Sequence, residues 1–210
     1  MSYRNDPLVG DIPYELNIGY IDALGDPTRE EAVDLVARRF LAAQAIMLAL
    51  RGVPGIYFHS LYGSRSWANG AAITGQKRTI NRQKLDRREV EQELADKHAL
   101  RARVFFPYAH MLRCRSAEPA FHPTAAQEML NVHPSLFALW RHSMDGGRHV
   151  LCLQNVANEP VEIDLDAEPY GGDQSKFVEL LSKKTFSAET GRLRLIVPPY
   201  GIYWLLLMPD

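Results

Sequence analysis

The sequence predicts an α+β protein in two parts, helical and loop-rich to about residue 122 and strand-rich beyond it. Three observations carry this. Apolar residues recur at helical spacing through Val33, Val36, Ala37, Phe40, Leu41, Met47 and Leu48. A tight Gly-Pro turn and a nearly continuous apolar run, Val53 to Leu61, follow at once. After Glu118-Pro119-Ala120-Phe121-His122-Pro123-Thr124 the periodicity changes to that of strands, and the two prolines mark a boundary. The expected domains are 1–122 and 123–210.

In chain order, residues 14–24 alternate roughly and suit a short strand or extended loop. Asp26-Pro27-Thr28-Arg29-Glu30-Glu31 reads as a helix start, with Thr28 and Glu31 as a capping box and early acids suited to the dipole. The helix that follows should run about 20 residues, with one broad apolar face that needs a large partner surface. Gly52 ends it. Val53 to Leu61 then reads as a strand covered on both faces, so helix, turn and strand form an α/β unit. Residues 62–85 carry Gly63, Gly70 and Gly75 with many Ser, Asn and Arg and no clear period. A loop that long in a compact protein is functional or disordered.

Asp86 to Glu89 restarts helix with a capping-box pattern. Val90 and Leu94 belong to a short helix, and Leu100 to Leu112 to a longer one that Pro107 should kink. Candidate strands are 127–132, 136–143, 148–156, 161–165, 176–181, 192–197 and 202–207. Asp145-Gly146-Gly147 is a hairpin signal and Glu189-Thr190-Gly191 another turn. This half reads as a small antiparallel sandwich. The tail from Val197 to Leu207 reads as a closing core strand after a proline turn, too apolar for a solvent-facing sugar platform.

Composition excludes several classes. The 210 residues carry 24 basic and 25 acidic side chains for a net charge of −1, and 46% are hydrophobic. The cations are scattered apart from residues 87–88 and the 76–82 loop, which argues against a nucleic acid or an anionic membrane as partner. No apolar run reaches about 18 residues. The N-terminus has no apolar signal region, so the expected location is the cytoplasm, with Cys114 and Cys152 as free thiols. The seven histidines show no metal-binding spacing, so no metal is expected. There is no G-x-S-x-G and no phosphate-binding glycine loop.

The chemistry therefore concentrates in the 62–85 loop. Arg65, Lys77, Arg78 and Arg82 can hold anions or vicinal sugar hydroxyls, because a guanidinium offers a planar fork of donors. A plain solvated loop fits the composition equally. His59, near the end of the apolar run, is either a satisfied core histidine or a site-lining one.

Several segments resemble one family. Gly52-Val53-Pro54-Gly55-Ile56-Tyr57 is similar to the eighth-strand pattern of the α-amylase superfamily. Arg78-Thr79-Ile80-Asn81-Arg82 is similar to a sequence characteristic of sucrose phosphorylases and related glucoside phosphorylases. Tyr14-Glu15-Leu16-Asn17 and Asp22-Ala23-Leu24-Gly25 resemble the segment before the seventh barrel helix, and Pro198-Pro199-Tyr200-Gly201 with Trp204 the closing strand of the C-terminal domain. The resemblance implies the last βα units of an incomplete (β/α)8 barrel, followed by a C-terminal antiparallel β-sandwich-like domain.

It implies a retaining enzyme of α-glucosides, in which one carboxylate forms a glucosyl-enzyme and a second acts as acid and base. Phosphate then takes the glucosyl group as co-substrate, with no cofactor. Arg78 would hold the glucosyl hydroxyls, and Arg65, Asn81, Arg82 and His59 are weaker candidates. The family's catalytic carboxylates lie on earlier strands, and no Asn-His-Asp triplet occurs here. The expectation is thus a C-terminal fragment without catalytic residues or turnover of its own, dimerising through its uncovered barrel face. The alternative is a stand-alone carbohydrate-binding or assembly module. Sucrose, phosphorylated sucrose, glucosylglycerol and glucosylglycerate all stay open as substrates.

Overall fold

The structure is a computed structural model that describes residues 1–26, 29–167 and 174–208. The expected cap residue Thr28 lies outside the described residues. They divide into two compact units, Met1–Ala37 with Ile56–Phe106, and Arg38–Gly55 with Pro107–Asp210.

The first unit opens on a hairpin of β1, Ser2–Asp6, and β2, Gly10–Glu15. Asp6 makes the turn, its Oδ1 accepting from the amides of Leu8 and Val9 at 2.9 and 3.3 Å. A single helical turn follows, α1, Tyr20–Ala23, where the sequence suggested extended chain. α2, Val33–Ala49, has residues 38–49 in the second unit and buries Val36, Ala37, Phe40, Leu41, Gln44 and Leu48 of the face its periodicity predicts, while Val33 stays 40% exposed.

The apolar run 53–61 is a correction. It forms no strand: residues 53–57 are irregular and α3 takes Phe58–Leu61. Val53 is 82% and Phe58 53% exposed. An apolar run becomes a strand only when neighbours take its backbone hydrogen bonds, and among the described residues none pairs with it. Pro54 has no amide hydrogen to offer in any case.

The 62–85 segment holds more structure than its composition suggests. α4 spans Ala68–Thr74 and a 3-10 turn spans Lys77–Asn81; beyond the segment, α5 covers Arg87–Ala95. Asp86 caps α5 as expected, accepting from the amides of Arg88 and Glu89 at 2.9 and 3.2 Å. α6, Leu100–Ala117, continues through Pro107.

The second unit is built on antiparallel strands: β3 Ala126–Leu130, β4 Leu136–His142, β5 His149–Asn155, β6 Val161–Asp166, β7 Lys176–Glu179, β8 Thr185–Ser187, β9 Arg192–Val197 and β10 Ile202–Leu207. Six make one sheet in the order β3-β4-β5-β10-β7-β8, and β6 pairs with β9. The two layers share a core of Trp140, Leu151, Leu153, Phe177 and Leu205 against Ile163, Leu193 and Val197. The apolar tail is the core strand its composition predicts, since β10 lies between β5 and β7. Gly146, at φ +71°, turns the β4–β5 hairpin, and Asp145 Oδ1 accepts from Ser143 Oγ and the Gly147 amide at 2.5 and 3.0 Å. The turn at Glu189–Gly191 is also present, with the Glu189 amide on the Arg192 carbonyl at 3.0 Å. No helix of the described residues is long and apolar enough to cross a membrane.

Candidate functional site: the loop around Arg78

Arg78, Asn81 and Arg82 share the 3-10 turn at Lys77–Asn81 and its flank. The turn is closed by the Thr79 amide on the Gln76 carbonyl and the Arg82 amide on the Thr79 carbonyl, at 2.9 and 3.0 Å. Three contacts pin it. The Trp67 amide donates to the Ile80 carbonyl at 2.6 Å. Tyr57 Oη donates to the Asn81 carbonyl at 2.7 Å. Thr74 Oγ1 donates to Thr79 Oγ1 at 2.9 Å. The backbone is thus fixed while the cationic side chains reach outward.

Arg78 is held lightly. Its Nε lies 3.9 Å from Glu15 Oε2, and its side chain is 46% exposed. An ion pair that long and that wet contributes little, so the guanidinium can turn toward a ligand at small cost. Lys77 Nζ donates to the Met1 carbonyl at 3.1 Å.

Arg65 is committed elsewhere. Its Nη1 donates to Asp22 Oδ1 at 2.9 Å, and Asp22 is only 4% exposed. The same carboxylate accepts from the Ser66 amide at 2.6 Å, and the Gly19 amide donates to Ser66 Oγ at 2.8 Å. A buried carboxylate needs such partners, and this set ties α1 to the start of the loop.

His59 meets the Tyr57 and Phe58 rings edge-on, its ring centroid 5.4 Å from each. Burial, and secondarily the Arg101 charge, lower its pKa from the usual histidine value. Its carbonyl accepts from the Ser64 amide at 2.8 Å. Arg101 supports the same corner, with Nη1 donating to the Tyr62 carbonyl at 3.2 Å and to Ser64 Oγ at 3.0 Å. The structure therefore groups Arg78, Asn81 and Arg82 in one turn, and links Arg65 and His59 to it through backbone contacts along residues 64–67.

Sequence reasoning missed the partners. Glu15 and Asp22 stand in the 14–24 segment, read as a short strand or extended loop and by resemblance as barrel, with no part in the site, and Tyr57 sat inside a run read as strand. The one available signal was that a loop with five cations, Arg65, Lys77, Arg78, Arg82 and Lys84, needs carboxylates nearby. A cleft of about 350 Å³ in the second unit, lined by His110, Arg113, Cys114, Glu118, Arg148 and Lys183 among others, contains none of the predicted site residues.

Residues 127–204 match the family described as Maltogenic Amylase, C-terminal domain. The chain is 41% identical over 215 residues to a glucosylglycerate phosphorylase of Spirochaeta thermophila, covering 98% of this chain and 35% of that protein. It is 44% identical over 151 residues to a glucosylglycerate phosphorylase of Allomeiothermus silvanus, covering 72% of this chain and 27% of that one. The crystal structure of an Anoxybacillus α-amylase is similar in fold, with a TM-score of 0.64 at 14% identity over 83% of this chain and 33% of that chain. The chain spans about a third of the length of the curated relatives it matches. By its sequence it belongs to the α-amylase superfamily, among the glucoside phosphorylases.

Proposed function

We propose that this chain supplies the terminal third of a retaining glucoside phosphorylase, in which Arg78 binds the hydroxyls of the transferred glucosyl unit. The observation that carries this is the placement of Arg78. Its turn is clamped by Tyr57 and Trp67, while its own charge is only loosely met by Glu15. A fixed base with an uncommitted fork of donors is what recognition of vicinal hydroxyls requires. Asn81 and Arg82 flank it, and His59 stands on the neighbouring helical turn.

The carboxylates of the reaction come from outside these residues. One attacks the anomeric carbon as the glycosidic oxygen leaves with a proton from the other, and phosphate then displaces the enzyme carboxylate to give α-glucose 1-phosphate. The named activity of the relatives makes glucosylglycerate the first substrate to test. Its acidic aglycone suits a loop that also exposes Lys77 and Arg82.

On this reading, residues 1–122 correspond to the last units of a (β/α)8 barrel. The likeness to the α-amylase covers 83% of the chain, which is more than residues 126–207 alone could account for. The irregular course of residues 53–57 then reflects the absence of a neighbouring strand. Val53, Phe58 and Ile73, all well exposed, would be covered by the rest of the barrel, or by a second copy when the chain stands alone.

The test joins this chain to the other two thirds of the Spirochaeta thermophila relative. Arg78→Ala should then lower kcat/KM for phosphorolysis by about a hundredfold or more, the scale of losing one preorganised donor. An unchanged kcat/KM would remove Arg78 from the site.

A further inference from the structure

The β4–β5 hairpin holds a feature that sugar chemistry leaves unused. His142 and His149 are register partners across the hairpin. Their Nδ1 atoms lie 2.7 Å apart, with ring centroids 5.0 Å apart at 68°. Two imidazole nitrogens at that distance cannot both present bare lone pairs to each other. In the metal-free chain one ring's N–H donates to the other's bare nitrogen, and a metal ion can take the place of that shared proton.

The surroundings hold both rings close to the positions a chelate needs. The hairpin backbone is fixed by the Ser143 amide on the Arg148 carbonyl at 2.9 Å and the Gly146 amide on the Ser143 carbonyl at 3.0 Å. His142 lies nearly parallel to the buried Trp140 ring, at 6.2 Å and 20°. Its far nitrogen, Nε2, faces Glu128 Oε2 at 3.9 Å. A carboxylate on that side favours the tautomer whose hydrogen is on Nε2, which leaves Nδ1 as a ligand.

We propose that His142 and His149 chelate a divalent transition-metal ion of the Zn2+, Ni2+ or Cu2+ class through their Nδ1 atoms. Metal–nitrogen bonds of about 2.0–2.1 Å at a tetrahedral angle span roughly 3.3 Å, so the rings need to part by only about 0.6 Å. Among the described residues no group of three or more His, Cys, Asp or Glu stands ready for a metal, so water fills the remaining positions. The affinity is that of a two-ligand clamp rather than a structural zinc site. Binding locks β4 to β5, and both strands feed Trp140, Leu151 and Leu153 to the core.

The test uses the tag-free chain with ZnCl2 or NiCl2 alone. Calorimetric titration should show one ion per chain in the micromolar range, and excess metal should raise Tm by several degrees. His142→Asn or His149→Asn should weaken binding tenfold or more and abolish the rise. A paired His122→Asn, His133→Asn control should keep both. Without any substitution, Cu2+ should broaden the NMR signals of His142 and His149 before those of other histidines. No binding up to millimolar metal, or binding unchanged in both hairpin variants, overturns the proposal, as does early broadening confined to other histidines.

Discussion

Arg141 Nη1 donates to the main-chain carbonyl of Ala49 at 2.9 Å, joining positions 92 apart in the chain. Ala49 is the last residue of α2, and the bond meets a carbonyl that the helix leaves without an internal partner. Arg141 Nη2 reaches the His122 carbonyl at 2.8 Å. Arg115 does the same work nearby, donating to the carbonyls of Leu48 and Gly52. Both guanidiniums lie over the Phe121 ring, at 5.9 and 5.5 Å. Two buried cations thus sit at the negative end of one helix dipole. Burial lowers both pKa values, and for Arg141 the Arg115 charge adds to this.

Arg141→Met should therefore cost about 2–4 kcal/mol, because it strands carbonyls that are sealed from water. Arg141→Lys should recover only part of that, since a point donor cannot reach the same set of oxygens. Urea unfolding of the three proteins checks the order.

Much of the second unit was legible in the sequence, and the reason is physical. Apolar and alternating runs bounded by Asp145-Gly146-Gly147 and Glu189-Thr190-Gly191 mark strands, β4 and β5 buried along nearly their whole length and β6 alternating, joined by turns that favour glycine. β8 escaped because three residues show no period. The β1–β2 hairpin escaped because its residues are polar and mostly exposed. Val53–Leu61 was misread because an apolar run carries no record of whether a neighbouring strand exists. The cations of the site were visible as composition. Their partners were not, since Asp22 lies 43 positions from Arg65 and only folding brings them together.

Gly70 sets the loop's packing. A Cβ built there would lie 2.0 Å from the Trp67 ring. Gly70→Ala should displace that indole and loosen the Trp67–Ile80 bond beneath Arg78, at a cost of about 1–3 kcal/mol. Loss of near-ultraviolet circular dichroism with unchanged far-ultraviolet signal is the expected signature.

The two thiols should differ sharply. Cys152 is fully buried and its pKa is pushed well up by burial; Cys114 is partly exposed and is raised more modestly by the same cause. The thiolate is the reactive form. A thiol reagent at neutral pH should modify Cys114 slowly in the native chain, and Cys152 only after denaturation, as peptide mapping would show.

His59 predicts a pH effect of definite sign. Its folded pKa is lowered by burial first and by Arg101 second, so the unfolded chain binds its proton more readily. The stability it contributes is complete above the unfolded value of about 6.5 and is lost as pH falls through that value toward the folded one. Between about pH 7.5 and 5.5 the unfolding free energy of His59→Gln should fall less steeply than that of the unsubstituted chain. Parallel curves would show that His59 does not titrate in this range.

The central claim is that these residues act as part of a phosphorylase and not alone. NMR of glucosylglycerate with inorganic phosphate, with either the isolated chain or the chain joined to the other two thirds of the Spirochaeta thermophila relative, tests it directly. The account predicts phosphate-dependent appearance of α-glucose 1-phosphate from the joined protein and no turnover by the isolated chain. Turnover by the isolated chain, or release of free glucose without need of phosphate by the joined protein, would contradict it.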